Sequence, residues 1–89
     1  MNRPALISAS LLAGLVALTS SAFAQSCSAL YHERNSIFAG AGYCFKTPRA
    51  IRTFGNAGCL YDSEAAVRLS PRNRARVNQI RRLEREMGC

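Results

Sequence analysis

Apolar positions recur at three- and four-residue steps from Cys27 to Ala41, at Cys27, Leu30, Tyr31, Ile37, Phe38 and Ala41. That spacing lines one face of an α-helix of about four turns. Ser26 or Ser28 suits its N-cap and Gly42 its C-terminal stop. Tyr43-Cys44-Phe45 forms a short connector, and Thr47-Pro48 then supplies an N-cap with proline at the first helical position. A shorter second helix is predicted to about Phe54, ended by Gly55-Asn56-Ala57-Gly58. Leu60 to Leu69 reads as a linker with room for a helical turn. Ser70-Pro71 repeats the cap and proline, and Val77, Ile80, Leu83 and Met87 make the apolar face of a third helix that Gly88 stops before Cys89. No stretch alternates at period two. The predicted fold class is therefore all-α, a helical hairpin followed by a third helix.

The first 24 residues follow a different pattern. Met1-Asn2-Arg3 carries one positive charge, Pro4 to Leu18 is almost wholly apolar or small, and Ala22-Phe23-Ala24 places small residues where a signal peptidase reads them. This predicts a cleaved export signal at 1–24 and a single domain at 25–89. The apolar run is short of the roughly 20 residues needed to cross a bilayer. The residues before Cys27 do not suit lipidation, and the absence of an arginine pair favours the Sec-type route over twin-arginine export. The expected destination is the periplasm or the extracellular space.

A domain this small has little core, and such domains usually depend on disulfides, metal or oligomerisation. Cys27, Cys44, Cys59 and Cys89 supply an even thiol count in an oxidising compartment. Their wide spacing lacks the close pairs of a zinc site, and His32 is the only histidine. No metal and no cofactor are expected. A Cys27 bond to Cys44 would have to span the first helix, about 24 Å at ~1.5 Å per residue, whereas bridged Cα atoms lie within roughly 7 Å. If the second helix returns the chain toward Cys27 and the third climbs back, Cys27 pairs with Cys59 and Cys44 with Cys89, the favoured arrangement. The alternative, Cys27 with Cys89 and Cys44 with Cys59, needs the third helix to run down beside the first.

Charge changes the picture more than any catalytic pattern does. The chain holds 12 Lys and Arg against five Asp and Glu; without Arg3 of the export segment the balance is eleven against five, or +6. Arg68, Arg72, Arg74, Arg76, Arg81, Arg82 and Arg85 crowd the C-terminal third. Arg74, Arg81 and Arg85 share a helical face by four- and seven-residue steps, making them the candidate anion-binding residues beside the plainer reading of a solvated charged face. Arginine suits two-point contact with carboxylates or phosphates. In an envelope these belong to peptidoglycan, lipopolysaccharide, anionic lipid or an acidic protein surface. Nucleic acid is not expected as a physiological partner, because the export signal leads away from it and no aromatics interleave the arginines.

Catalytic residues are not expected. His32 has Glu33 beside it and Ser36 one turn on, but adjacent helical residues do not face each other. There are no paired carboxylates at a useful spacing and no phosphate-cradling loop, so the expectation is a protein that is not an enzyme. Arg34 and Asn35, in the middle of the first helix, are read as structural polar residues that tie the carbonyls and loop around Gly55-Asn56.

Leu30, Arg34-Asn35, Ile37-Phe38-Ala39 and Gly42-Tyr43-Cys44-Phe45, followed by Phe54, Leu69-Ser70, Asn78, Ile80 and Glu84, resemble the YARHG domain family over nearly all of residues 25–89. The resemblance implies a small bacterial extracytoplasmic domain with an envelope-associated binding role, and it brings no catalytic residues. The letters of the family name align with Phe38, Ala39, Gly40, Ala41 and Gly42, so alanine and the last glycine are kept while the Arg and His are absent. The cysteines mark a disulfide-reinforced variant.

Three functions compete. The first is a non-enzymatic envelope module whose third helix contacts an anionic component. The second is a regulator or inhibitor of a periplasmic or extracellular protein, contacted through loop residues such as Asn56 and Tyr61-Asp62. The third, a cationic membrane-active effector using Ser70 to Met87, is the minority reading.

Overall fold

The computed structural model describes residues 26–89, so the export segment read at 1–24 lies outside the described residues. The chain folds into α1 (Cys27–Gly40), α2 (Pro48–Phe54), a 3₁₀ turn (Glu64–Ala66) and α3 (Pro71–Met87). It is an all-α fold closed by two disulfides. Each helix starts on the residue that the pattern selects. Ser26, Thr47 and Ser70 accept hydrogen bonds from the amides of Ala29, Ala50 and Asn73, and Pro48 and Pro71 open their helices. Each cap satisfies an amide that otherwise has no partner inside the helix. Among the described residues no helix is long and apolar enough to cross a membrane.

α3 ends in a left-handed turn at Gly88, φ 75°. The Cys89 amide donates to the Glu84 carbonyl at 2.8 Å, and the Gly88 amide to Arg85 at 3.2 Å, a Schellman-type closure that glycine makes inexpensive. This fixes Cys89 directly off the helix end, where it bonds Cys27 at the start of α1, with Cα atoms 5.7 Å apart. α1 and α3 therefore lie antiparallel.

The observed bridges are Cys27 with Cys89 and Cys44 with Cys59, which corrects the favoured pairing of Cys27 with Cys59 and Cys44 with Cys89. The reason is helix length. At ~1.5 Å per residue α1 is about 21 Å long and α2 only about 10 Å, so α2 cannot carry the chain back to Cys27. Cys59 stays at the Cys44 end. There the connector and the later loop pair through a parallel bridge between Tyr43 and Tyr61, with the Cys44 amide donating to the Tyr61 carbonyl at 2.8 Å and the Leu60 amide to the Gly42 carbonyl at 2.7 Å. Gly42 takes φ 93°, and a Cβ there would lie 3.5 Å from the Tyr61 ring. The return along α1 is made by α3, about 26 Å long.

The core sits between α1, α3 and the connector. Phe38, Phe45, Ala50, Val67 and Val77 form one buried cluster, with Leu30 and Ile80 also buried. Phe45 stacks on Phe54 at 5.3 Å between centroids and meets Tyr43 edge-on at 5.1 Å. Asn56 locks this connector: the Phe45 amide donates to its Oδ1 at 2.7 Å, and its Nδ2 donates to the Phe45 carbonyl at 3.0 Å. Of the expected apolar face of α3, Val77 and Ile80 are buried, Leu83 is partly covered, and Met87 is exposed.

Candidate anion-binding site

Polar contacts between α1 and α3 decide which charges remain available. Arg34 makes a two-point pair with Glu84, Nε to Oε1 at 2.9 Å and Nη2 to Oε2 at 3.0 Å. Both side chains are well covered, 18% and 15% exposed. Asn35 is buried and donates to the carbonyl of Tyr31, one turn back. Neither makes the expected hydrogen bond to the Gly55-Asn56 loop. Arg34 bonds to α3 rather than to the Gly55-Asn56 loop, and Asn56 itself binds the backbone there. His32 is exposed, packs its ring 5.1 Å from Phe54, and has Ser36 Oγ 3.5 Å from Nδ1. Glu33 turns away from His32 to Arg76.

That second two-point pair runs from Arg76 Nε to Glu33 Oε2 at 2.6 Å and from Nη2 to Oε1 at 2.7 Å. The Arg76 hydrogen bonds hold the Glu33 carboxyl below its ordinary pKa, against an opposing push from desolvation. A depressed carboxyl pKa contributes stability that is fully present above the unfolded-state value and is lost as pH falls through the folded one. Glu33→Gln is therefore expected to lower Tm modestly at neutral pH, since the pair is partly exposed. The gap from the parent should close on acidification through the glutamate range. Thermal melts of both proteins across that range check it, and a gap constant with pH would contradict it.

The three arginines singled out on α3 lie along one flank of the helix but are not equivalent. Arg74 and Arg85 are exposed and have no ion-pair partner among the described residues. Arg81 is half-buried, with Nη2 2.6 Å from Glu64 Oε1 and its guanidinium carbon 5.9 Å from the Phe38 ring centroid. Arg81 and Arg85 line an open cleft of ≈ 520 Å³ with Arg34, Glu64, Glu84 and the turn at Gly88. Arg74 lies on the other side of Arg81, in a smaller recess with Asn78 and Leu69.

Two participants escape sequence reading. Glu64 belongs to the linker, and nothing local says that its turn reaches α3. Arg49, on α2, lays its guanidinium 3.8 Å from the centroid of Tyr31, a cation–π contact that depends on how α2 docks on α1. The helical periodicity of α1 placed Tyr31 on a packed face, but no local pattern names its partner.

No curated protein and no solved structure matches the chain. The family model of the YARHG domain matches residues 6–85. That span takes in all three helices but for the last residues of α3, together with the connector and the cleft arginines, and on it the chain belongs to the YARHG domain family.

Proposed function

We propose that this chain is a small, exported, non-enzymatic module of the bacterial cell envelope that contacts an anionic envelope component through the arginines of α3. Two disulfides and membership of an extracytoplasmic family fit an exported protein. The observation that carries the binding reading is the distribution of ion pairs. Glu33, Asp62, Glu64 and Glu84 are each engaged by one cation, namely Arg76, Lys46, Arg81 and Arg34. Among the described residues Arg49, Arg52, Arg68, Arg72, Arg74, Arg82 and Arg85 are left without an ion-pair partner, against one acidic side chain, Glu86. Arg72, Arg74, Arg82 and Arg85 stand on α3. A surface this unbalanced attracts polyanions, and guanidinium groups suit carboxylates and phosphates.

Co-sedimentation with purified sacculi and with phosphatidylglycerol vesicles tests the reading. Retention at low salt and release at high salt are expected, because exposed charges are screened. Joint replacement of Arg74, Arg81 and Arg85 by Gln should lower the retention more than joint replacement of Arg49, Arg52 and Arg68, which lie off α3. No retention of the parent protein at low salt on either material would sink the proposal.

A protein-directed regulator is the second reading, favoured by Leu60. It is 74% exposed beside the Cys44–Cys59 bridge, an apolar contact presented on a fixed loop. Binding to an envelope extract that persists in high salt and is lost with Leu60→Ser would favour this reading.

A further inference from the structure

Three arginines meet glutamates across elements, and they do so differently. Arg34 and Arg76 each use Nε and Nη2 together, one bond to each carboxylate oxygen. Arg81 reaches Glu64 through Nη2 alone, and its Nε is buried with no hydrogen-bond partner among the described residues. The edge that takes two oxygens twice elsewhere in this molecule is here half used. Buried donors without a partner are uncommon in folded proteins and call for an explanation.

The glutamate's location provides one. Glu33 and Glu84 stand on helices of 14 and 17 residues, whereas Glu64 opens a three-residue 3₁₀ turn whose N-cap, Ser63, makes no side-chain cap bond. Glu64 is exposed, and a single hydrogen bond from Arg81 holds its carboxylate where Glu33 and Glu84 each take two from one arginine. One helical turn beyond Arg81, Arg85 lines the same cleft without an ion-pair partner among the described residues.

Resting on the anion-binding reading above, we infer that this cleft binds a carboxylate of an envelope polymer through the Nε/Nη2 edge of Arg81 and the charge of Arg85, and that Glu64 is a tethered competitor displaced on binding. The fork takes carboxylate and phosphate alike, and the carboxylate is assigned from what this cleft already accommodates on Arg81, the carboxylate of Glu64. Both edges filled with two bonds hold planar carboxylates as well. A tethered competitor reduces the apparent affinity to the intrinsic value multiplied by the fraction of time it leaves the site free. Its removal strengthens binding without adding a contact.

The test is co-sedimentation of the full oxidised domain with purified sacculi, which present peptide carboxylates, and with phosphatidylglycerol vesicles, which present phosphates. The proteins compared are the parent, Glu64→Gln, Glu86→Gln and Arg81→Lys. Glu86→Gln makes the same change of net charge at an exposed site on α3 that has no ion-pair partner among the described residues. Glu64→Gln should raise sacculus affinity several-fold over both the parent and Glu86→Gln. Arg81→Lys, which keeps the charge and loses the fork, should lower it several-fold. Equal gains from the two Gln variants, or unchanged binding by Arg81→Lys, would overturn the displacement while leaving the anion-binding reading intact. Retention on vesicles only would overturn the carboxylate assignment. Failure of both the parent and Glu64→Gln to bind either material would remove this inference together with the reading beneath it.

Discussion

Replacing Cys27 and Cys89 together by alanine is expected to cost about 4 kcal/mol, the loop-entropy value for a bridge closing a separation of 62 residues. Tm should fall by roughly 15–30 °C for a domain of this size. The Cys44–Cys59 bridge, with a separation of 15, should cost about 3 kcal/mol by the same relation. The larger effect belongs to the terminal staple for a structural reason as well. Without it, the Arg34–Glu84 pair is the side-chain ion pair that remains between this end of α1 and the last turns of α3. Urea denaturation of the two double variants under oxidising conditions checks the order. A greater loss from the Cys44 and Cys59 pair would show that the connector, and not the helix ends, limits stability.

Phe45→Ala is expected to destabilise the domain by about 3–5 kcal/mol, the range for removing a buried aromatic ring. Phe45 is buried in the main cluster, stacked on Phe54 and edge-on to Tyr43. Its backbone is held at both polar groups by Asn56, so the surrounding chain has little freedom to collapse into the space vacated. Phe45→Leu, which refills much of that volume, should recover a large part of the loss. Leu60→Ala, at an exposed position on the neighbouring loop, should stay within about 0.5 kcal/mol of the parent. Urea midpoints for the three variants measure this directly, and a Phe45→Ala cost near that of Leu60→Ala would mean that the connector packs loosely.

Local chemistry made the helices legible. Thr47-Pro48 and Ser70-Pro71 start α2 and α3, and Gly88 ends α3, because caps, proline and left-handed glycine act over one turn and need no tertiary partner. The disulfide pairing was not legible in the same way. It turns on whether seven residues of α2 suffice to return the chain, a matter of path length, and the shorter helix left Cys59 beside Cys44. Cross-element polar pairs were equally hidden. Arg34 with Glu84 and Arg76 with Glu33 are separated by 50 and 43 residues, and the antiparallel docking of α1 and α3 alone brings them together. Helical spacing placed Arg74, Arg81 and Arg85 on one flank. It gave no sign that Glu64, in a linker without periodicity, would cover one of the three.

The two bridges are nested, with Cys44–Cys59 lying wholly inside the span of Cys27–Cys89. For a chain that meets an oxidant N-terminus first, Cys27 and Cys44 are the first two thiols to arrive, and their union would be the wrong one. α1 stands between them as a rigid spacer of about 21 Å. In the folded chain that separation rules the pair out, so a Cys27–Cys44 bond and a complete α1 exclude each other, and forming the helix selects against the wrong union.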